Sequence, residues 1–204
     1  MTPRGYISYT QLSLWERSPE KYKELYMDGG TLPINRGMAF GKRVHEALEH
    51  NTTTGDPLLD LVISNMPKYK TFEHEIHANL KSGERKAGKI GIPLFGILDN
   101  YDKRTHDFAD FKTGQKWWSK GKVDDDDQLT FYTLLIYAEF RVIPKNIALI
   151  QILTKRDPQT QQIDATGEYK VFKTTRTLSD ILMMAGRIEK AWGEIGDMVM
   201  KELT

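Results

Sequence analysis

The chain has 204 residues, 39% of them hydrophobic and 28% charged, with a formal net charge of +1. That length is enough for one sizeable core, and the composition excludes a disordered chain; no apolar run approaches the roughly 18 residues a membrane helix needs. The absence of cysteine excludes disulfides, thiolate zinc sites, a cysteine nucleophile and a cysteine-ligated iron–sulphur cluster, so any metal must sit on oxygen and imidazole ligands.

The first predicted element covers residues 8–27, where Leu12, Leu14, Trp15, Tyr22, Leu25 and Tyr26 stand at helical spacing and Pro19 breaks or restarts the helix. After the turn Asp28-Gly29-Gly30 a second helix spans 37–50, with Phe40, Val44, Ala47 and Leu48 on one side, and a short third helix covers 57–65. The pattern then changes to strands at 71–80, 91–101 and 106–112, the last ended by Thr113 and Gly114. A loop with Trp117 and Trp118 leads to Asp124, read as the N-cap of a buried helix over 125–140 whose first turn is acidic. Residues 146–153 are a nearly continuous apolar strand, expected to pair in parallel within a sheet covered on both faces. An edge strand at 168–173 and a closing helix at 177–203 complete the chain. The expected architecture is α/β, a three-layer αβββαβ core with added N- and C-terminal helices, in one domain over 1–204.

Chemistry concentrates in the hairpin 96–112. A turn centred between Arg104 and Thr105 makes positions 99 and 110 equidistant from it, which sets Asp99 and Asp110 opposite each other with Cβ atoms about 4.5–5.5 Å apart. Two carboxylates that close repel unless a positive charge lies between them, and Mg²⁺ takes one or two carboxylates plus water and phosphate oxygens. Lys112, two residues on, points to the same face. Its ammonium can hold an attacking water or offset charge building on a phosphate, so the set is suited to phosphodiester hydrolysis.

The string Gly96-Ile97-Leu98-Asp99 followed by Asp110-Phe111-Lys112-Thr113-Gly114 resembles the G-x-x-D … D-x-K-T-G signature of the RecB-like nucleases in the PD-(D/E)XK superfamily, which includes phage and CRISPR-associated exonucleases. Upstream, Gly41 to His45 and Glu46 is similar to the family's G-x-x-x-H-E helix, and downstream Gln128 and Tyr132, at i and i+4, look like its Q-x-x-x-Y motif. The resemblance spans roughly residues 6–153. It implies a restriction-endonuclease-like fold, a Mg²⁺- or Mn²⁺-dependent DNase, and a metal shell of His45, Asp99, Asp110 and the Phe111 carbonyl. Lys112 would act in catalysis, with Gln128 and Tyr132 orienting it and the DNA; Glu75 matches an acidic position of relatives, although Glu73 and His77 share its face. Ser18, before Pro19, stands where iron–sulphur members carry cysteine, so the resemblance implies no such cluster.

In the loop after the hairpin, Lys116, Trp117, Trp118, Lys120 and Lys122 are read either as a base-stacking, phosphate-binding surface or as simple packing. The acidic run Asp124 to Asp127 lacks the spacing of a calcium loop and is read as capping and solvation. The favoured function is an exonuclease preferring single-stranded DNA ends, in replication, repair or recombination, and the family's habit suggests a phage origin. A structure-specific endonuclease of the same fold and a non-catalytic DNA-binding subunit are the alternatives. No Walker string is present, so a helicase or recombination partner would be separate; no signal or transit pattern opens the chain, which points to the cytoplasm, the host's for a phage protein. Oligomeric state is open.

Overall fold

The computed structural model describes residues 3–31, 33–81 and 91–202. A five-stranded mixed sheet, ordered β1-β2-β3-β4-β5, lies between two helical layers. Its strands are β1 (Thr71–Leu80), β2 (Ile92–Tyr101), β3 (Phe108–Gly114), β4 (Ile147–Arg156) and β5 (Ile163–Thr174). All neighbours are antiparallel except β3 and β4, which run parallel as expected from the helix between them.

One face carries α1 (Tyr9–Arg17), α6 (Asp127–Phe140) and α7 (Leu178–Glu202), whose Leu12, Leu135 and Ile188 meet Leu98, Phe108 and Leu149 of the sheet. The other face carries α3 (Arg36–His50) and α4 (Pro57–Asn65), whose Val44 and Leu59 meet Phe111, Ile150 and Ile152. Side chains of β4 alternate between the two cores, the pattern expected of a strand buried on both sides. The break at Pro19 is real: α1 ends, Ser18 caps α2 (Pro19–Tyr26) by accepting from Lys21 N, and Pro19 takes the first helical position. Among the described residues no helix is long and apolar enough to cross a membrane.

Two expectations need correction. Asp124 does not cap the central helix. It ends a short additional helix, α5 (Lys120–Asp124), and the cap of α6 is Asp126, whose carboxylate accepts from Leu129 N. The break between the helices follows from buried Arg176, which donates to Val123 O and Asp126 O and to the Thr130 hydroxyl. The last strand is also longer than 168–173. Gly167 takes φ +86° and the β4–β5 ladder shifts register between Ile152 and Thr154, so the period-two pattern is interrupted inside β5.

What positions the site is the contact between β2 and β3. These strands pair only at Asn100↔Ala109 and Tyr101↔Phe108, next to the turn, and then part. The resulting fork is filled along β2 by the N-terminal segment: Ile7 donates to Pro93 O at 2.9 Å and accepts from Phe95 N at 3.0 Å.

Candidate active site

The register of β2 and β3 centres the turn between Arg104 and Thr105, and continuing it by one step places Asp99 across from Asp110. The ladder stops one pair short of them. Instead of a main-chain carbonyl, Phe111 N–H finds Asp99 Oδ2 at 2.7 Å, so a side chain replaces a ladder bond at the crotch of the fork. An extended residue's N–H and C=O leave the strand on the same side, which directs the Phe111 carbonyl toward the same opening.

The β1–β2 ladder is interrupted at the same place. Phe72 pairs with Asn100 and His74 with Leu98, while Glu73 and Asp99 between them are unpaired, and Glu73 has φ +45°. A left-handed backbone at a glutamate costs on the order of 1–3 kcal/mol. Its effect is visible in the alternation: Phe72 packs with the core under α3, whereas Ile76, Ala78 and Leu80 pack with the core under α6, although all four are even-numbered. Glu73, Asp99 and Asp110 thus form one row across three strands.

α3 brings His45 to this row. Its Nδ1 lies 3.0 Å from Glu73 Oε1 and 3.6 Å from Asp99 Oδ1, and its ring stands edge-on to Phe111. One ligand atom each from His45, Glu73 and Asp99 lies within 4.8 Å of the others. Glu75, the acidic residue read from sequence, is not part of this group; it is exposed and faces His77 at 3.9 Å. The residue missed is Glu73. Strict alternation puts it with Glu75 and His77 on the open face, and only its position across from Asp99 in the sheet register could have singled it out.

On the α6 side Lys112 Nζ lies 2.7 Å from Asp110 Oδ2 and donates to Gln128 Oε1 at 2.8 Å. Gln128 Nε2 in turn donates to the Tyr132 hydroxyl at 2.9 Å. The i, i+4 pair thus works as a relay that fixes the lysine. Gly96 leaves room for α6 against β2: a Cβ there would meet Leu135 Cδ2 at 2.7 Å and Tyr132 Cε1 at 3.2 Å.

Electrostatics follow from burial. Asp110 is 1% exposed, and its Oδ1 faces no hydrogen-bond donor among the described residues. Burial, and next the charge of Asp110, push the Asp99 carboxyl up to about 7. Burial pulls the His45 imidazolium down, but its hydrogen bond to Glu73 and the charge of Asp99 outweigh that and its pKa rises. Burial likewise opposes the Lys112 ammonium, and the charge and hydrogen bond of Asp110 override it. The Tyr132 hydroxyl is pushed upward by burial and by the charges of Asp110 and Asp99, so it stays protonated. A cluster of buried carboxylates with an orphaned oxygen, one imidazole and no thiolate fits a hard divalent cation.

The loop after β3 is anchored by Gln151, which is fully buried. Its Nε2 donates to Lys116 O and its Oε1 accepts from Trp118 N, both at 2.8 Å. Trp118 packs on the core with Lys122 Nζ over its ring at 3.6 Å, and Lys120 pairs with Asp124. Trp117 is half-buried with Lys170 Nζ at 5.7 Å from its ring, and Lys116 is exposed. Packing therefore accounts for Trp118, while Lys116 and Trp117 remain at the surface over β4 and β5.

No protein-family model matches the chain, and no curated protein matches it. Among solved structures the chain is similar to the crystal structure of SSO0001, with 18% identity over 92% of this chain and 75% of that one and a TM-score of 0.51. At that identity the likeness is one of fold. It also aligns with an alkaline exonuclease (LHK-Exo) from Laribacter hongkongensis at 13% identity, over 98% of this chain and 94% of that one, with a TM-score of 0.44, too low to carry an argument.

Proposed function

We propose that the chain is a metal-dependent DNA nuclease of the PD-(D/E)XK type, acting as an exonuclease on DNA ends. The observation that carries this reading is the row Glu73, Asp99 and Asp110 at the crotch of the fork, with Lys112 Nζ 2.7 Å from Asp110. Lys112 offsets the charge of Asp110 alone, so buried Asp99 and half-buried Glu73 beside it call for a further cation.

His45, Glu73, Asp99, Asp110 and the Phe111 carbonyl would hold the cation, Mg²⁺ or Mn²⁺ by donor chemistry. When bound it supplies positive charge against phosphate oxygens and makes water more acidic. The chain's own groups do the rest. Lys112, held by Gln128, presents N–H donors beside Asp110, where they can orient a water for attack or meet charge growing on the phosphate. Gln128 is kept in that orientation by Tyr132. Exposed Lys116 and half-buried Trp117, over β4 and β5, supply a cation and a ring for a strand approaching the site from that side.

The test is incubation with end-labelled single-stranded, double-stranded and closed-circular DNA in Mg²⁺, Mn²⁺ or EDTA, beside Lys112→Ala. Metal-dependent loss of the linear substrates with circles intact and the variant inactive is the expected result. Cutting of circles would replace exonuclease by endonuclease, and DNA binding without cleavage would leave a binding subunit.

A further inference from the structure

The fork occupies the interior of the sheet, and the sheet also has an unused end. Register puts the starts of β1, β3 and β4 and the ends of β2 and β5 together there: Thr71 pairs with Tyr101, Tyr101 with Phe108, Phe108 with Ile147 and Ile147 with Thr174. Three cavities follow this end in sequence. The first, of about 550 Å³, is lined by Lys68, Lys70, Lys103 and Arg104. The second, of about 230 Å³, shares Lys68 and Tyr69 with it and extends to Asn146 and Lys173. The third, of about 510 Å³, shares Asn146 and Lys173 and adds Lys145 and the Lys120–Asp124 pair. Five strands spaced about 4.8 Å apart make this end about 19 Å wide.

All six cations are exposed, and none of them pairs with a carboxylate among the described residues. Two nearby aspartates accept from main-chain donors, and a third, Asp124, pairs with Lys120. Asp102 Oδ1 accepts from Arg104 N and Thr105 N, and buried Asp107 accepts from Lys145 N, Asn146 N and Asn146 Nδ2. These contacts leave the carboxylates charged but tie their oxygens to other donors, so none closes an ion pair with the six side chains. A chain with net charge +1 thus gathers six cations without ion-pair partners along one line from segments scattered between residues 68 and 173, in excess of the three aspartates near them. Such a line fits a polyanion of regular charge spacing.

We propose that this end of the sheet is a second nucleic-acid track, gripping the phosphate backbone of a DNA strand beyond the bond being cut. At about 3.4 Å per nucleotide the line matches about six nucleotides of a stacked strand. It lies about 7 Å along the strands from Asp99 and Asp110, which are two residues inward from Tyr101 and Phe108, at about 3.3 Å per residue. That separation is short compared with the length of the track. The identity of the polymer as DNA rests on the nuclease reading; the track itself does not.

The experiment is fluorescence anisotropy with a long labelled single-stranded oligonucleotide in EDTA across a salt series. It compares the unaltered protein, Lys68→Ala/Lys70→Ala/Lys103→Ala/Arg104→Ala, and Lys145→Ala/Lys173→Ala from the other side of the track. The fourfold variant is expected to bind about tenfold or more weakly at low salt, and its log–log salt slope to shrink by about 3, near 0.7 per lost contact. The double variant should lose about half as much slope. All sites are exposed, so thermal melting should match the unaltered protein. Unchanged slopes overturn the track, and a loss confined to one variant overturns its continuity across the sheet. Cleavage of an oligonucleotide too short to span both sites should be equal in all three; a parallel fall would assign these cations to the catalytic fork and overturn the proposal. Asp110→Asn separates the two readings: it should abolish cleavage and keep the slope. Should it cleave normally, the nuclease reading falls while the slope change still supports the track.

Discussion

β4 and β5 pair over nine positions with one register shift, whereas β2 and β3, of similar length, pair over two. Along residues 147–152 of β4 the long ladder carries apolar side chains on both faces; the short one ends where Asp99 and Asp110 begin. Each missing ladder bond at the crotch has a reason in the row of acids: Phe111 N–H goes to Asp99, and Glu73 leaves the strand conformation. The sheet keeps its order where packing is the only demand and gives it up where charges must converge. Stability and chemistry thus occupy different halves of one sheet, as expected when strain and buried charge gather at a functional site.

That division can be broken by substitution. Asp110→Asn should lower cleavage by about 10²–10³-fold or more with little net change in melting temperature, because relief of a buried carboxylate with an orphaned oxygen offsets the loss of Lys112's partner. A large fall in melting temperature would show that the row is structural. Ile152→Ala, in the regular half, should do the reverse, costing about 2–5 kcal/mol of stability in urea unfolding with the per-molecule cleavage rate of the folded fraction intact.

Conditions sharpen the same contrast. In EDTA the stability of the chain should fall as pH rises from about 4 to about 7. Asp99, raised from 3.8 to about 7, binds a proton in the folded state that the unfolded state has released, and His45, also raised, loses its contribution as pH climbs further. Mg²⁺ or Mn²⁺ at a hundredfold over its dissociation constant should restore about 2.7 kcal/mol near neutral pH, and should do nothing for Asp99→Asn. Melting that is flat with pH and indifferent to metal would remove the cation from the site. The smallest effect belongs to Glu73→Gly, which should relieve the left-handed backbone by about 1 kcal/mol and weaken metal-induced stabilisation.

Sequence reading reached Asp99, Asp110 and Lys112 because a hairpin's register follows from its turn, and His45, Gln128 and Tyr132 through the family resemblance. It placed the parallel β3–β4 pair from an apolar strand following a helix. Glu73 escaped because a single positive φ inverts the alternation from which faces are read. Asp126 was missed as the cap because the deciding group, Arg176, lies fifty residues downstream. The basic line at the sheet's end was illegible for a related reason: its lysines are neighbours only after five strands have taken their order.

The contact of Ile7 with β2 has a further consequence, in the language of folding. The row Glu73, Asp99 and Asp110 is assembled from hairpins of short sequence separation, but the two hydrogen bonds that fill the fork join residue 7 to residues 93 and 95. Contacts of that span form late and open early. Amide hydrogens of Ile7 and Phe95 should therefore exchange together, ahead of those in the β4–β5 ladder, and the cleft would be the last part of the sheet to acquire its shape.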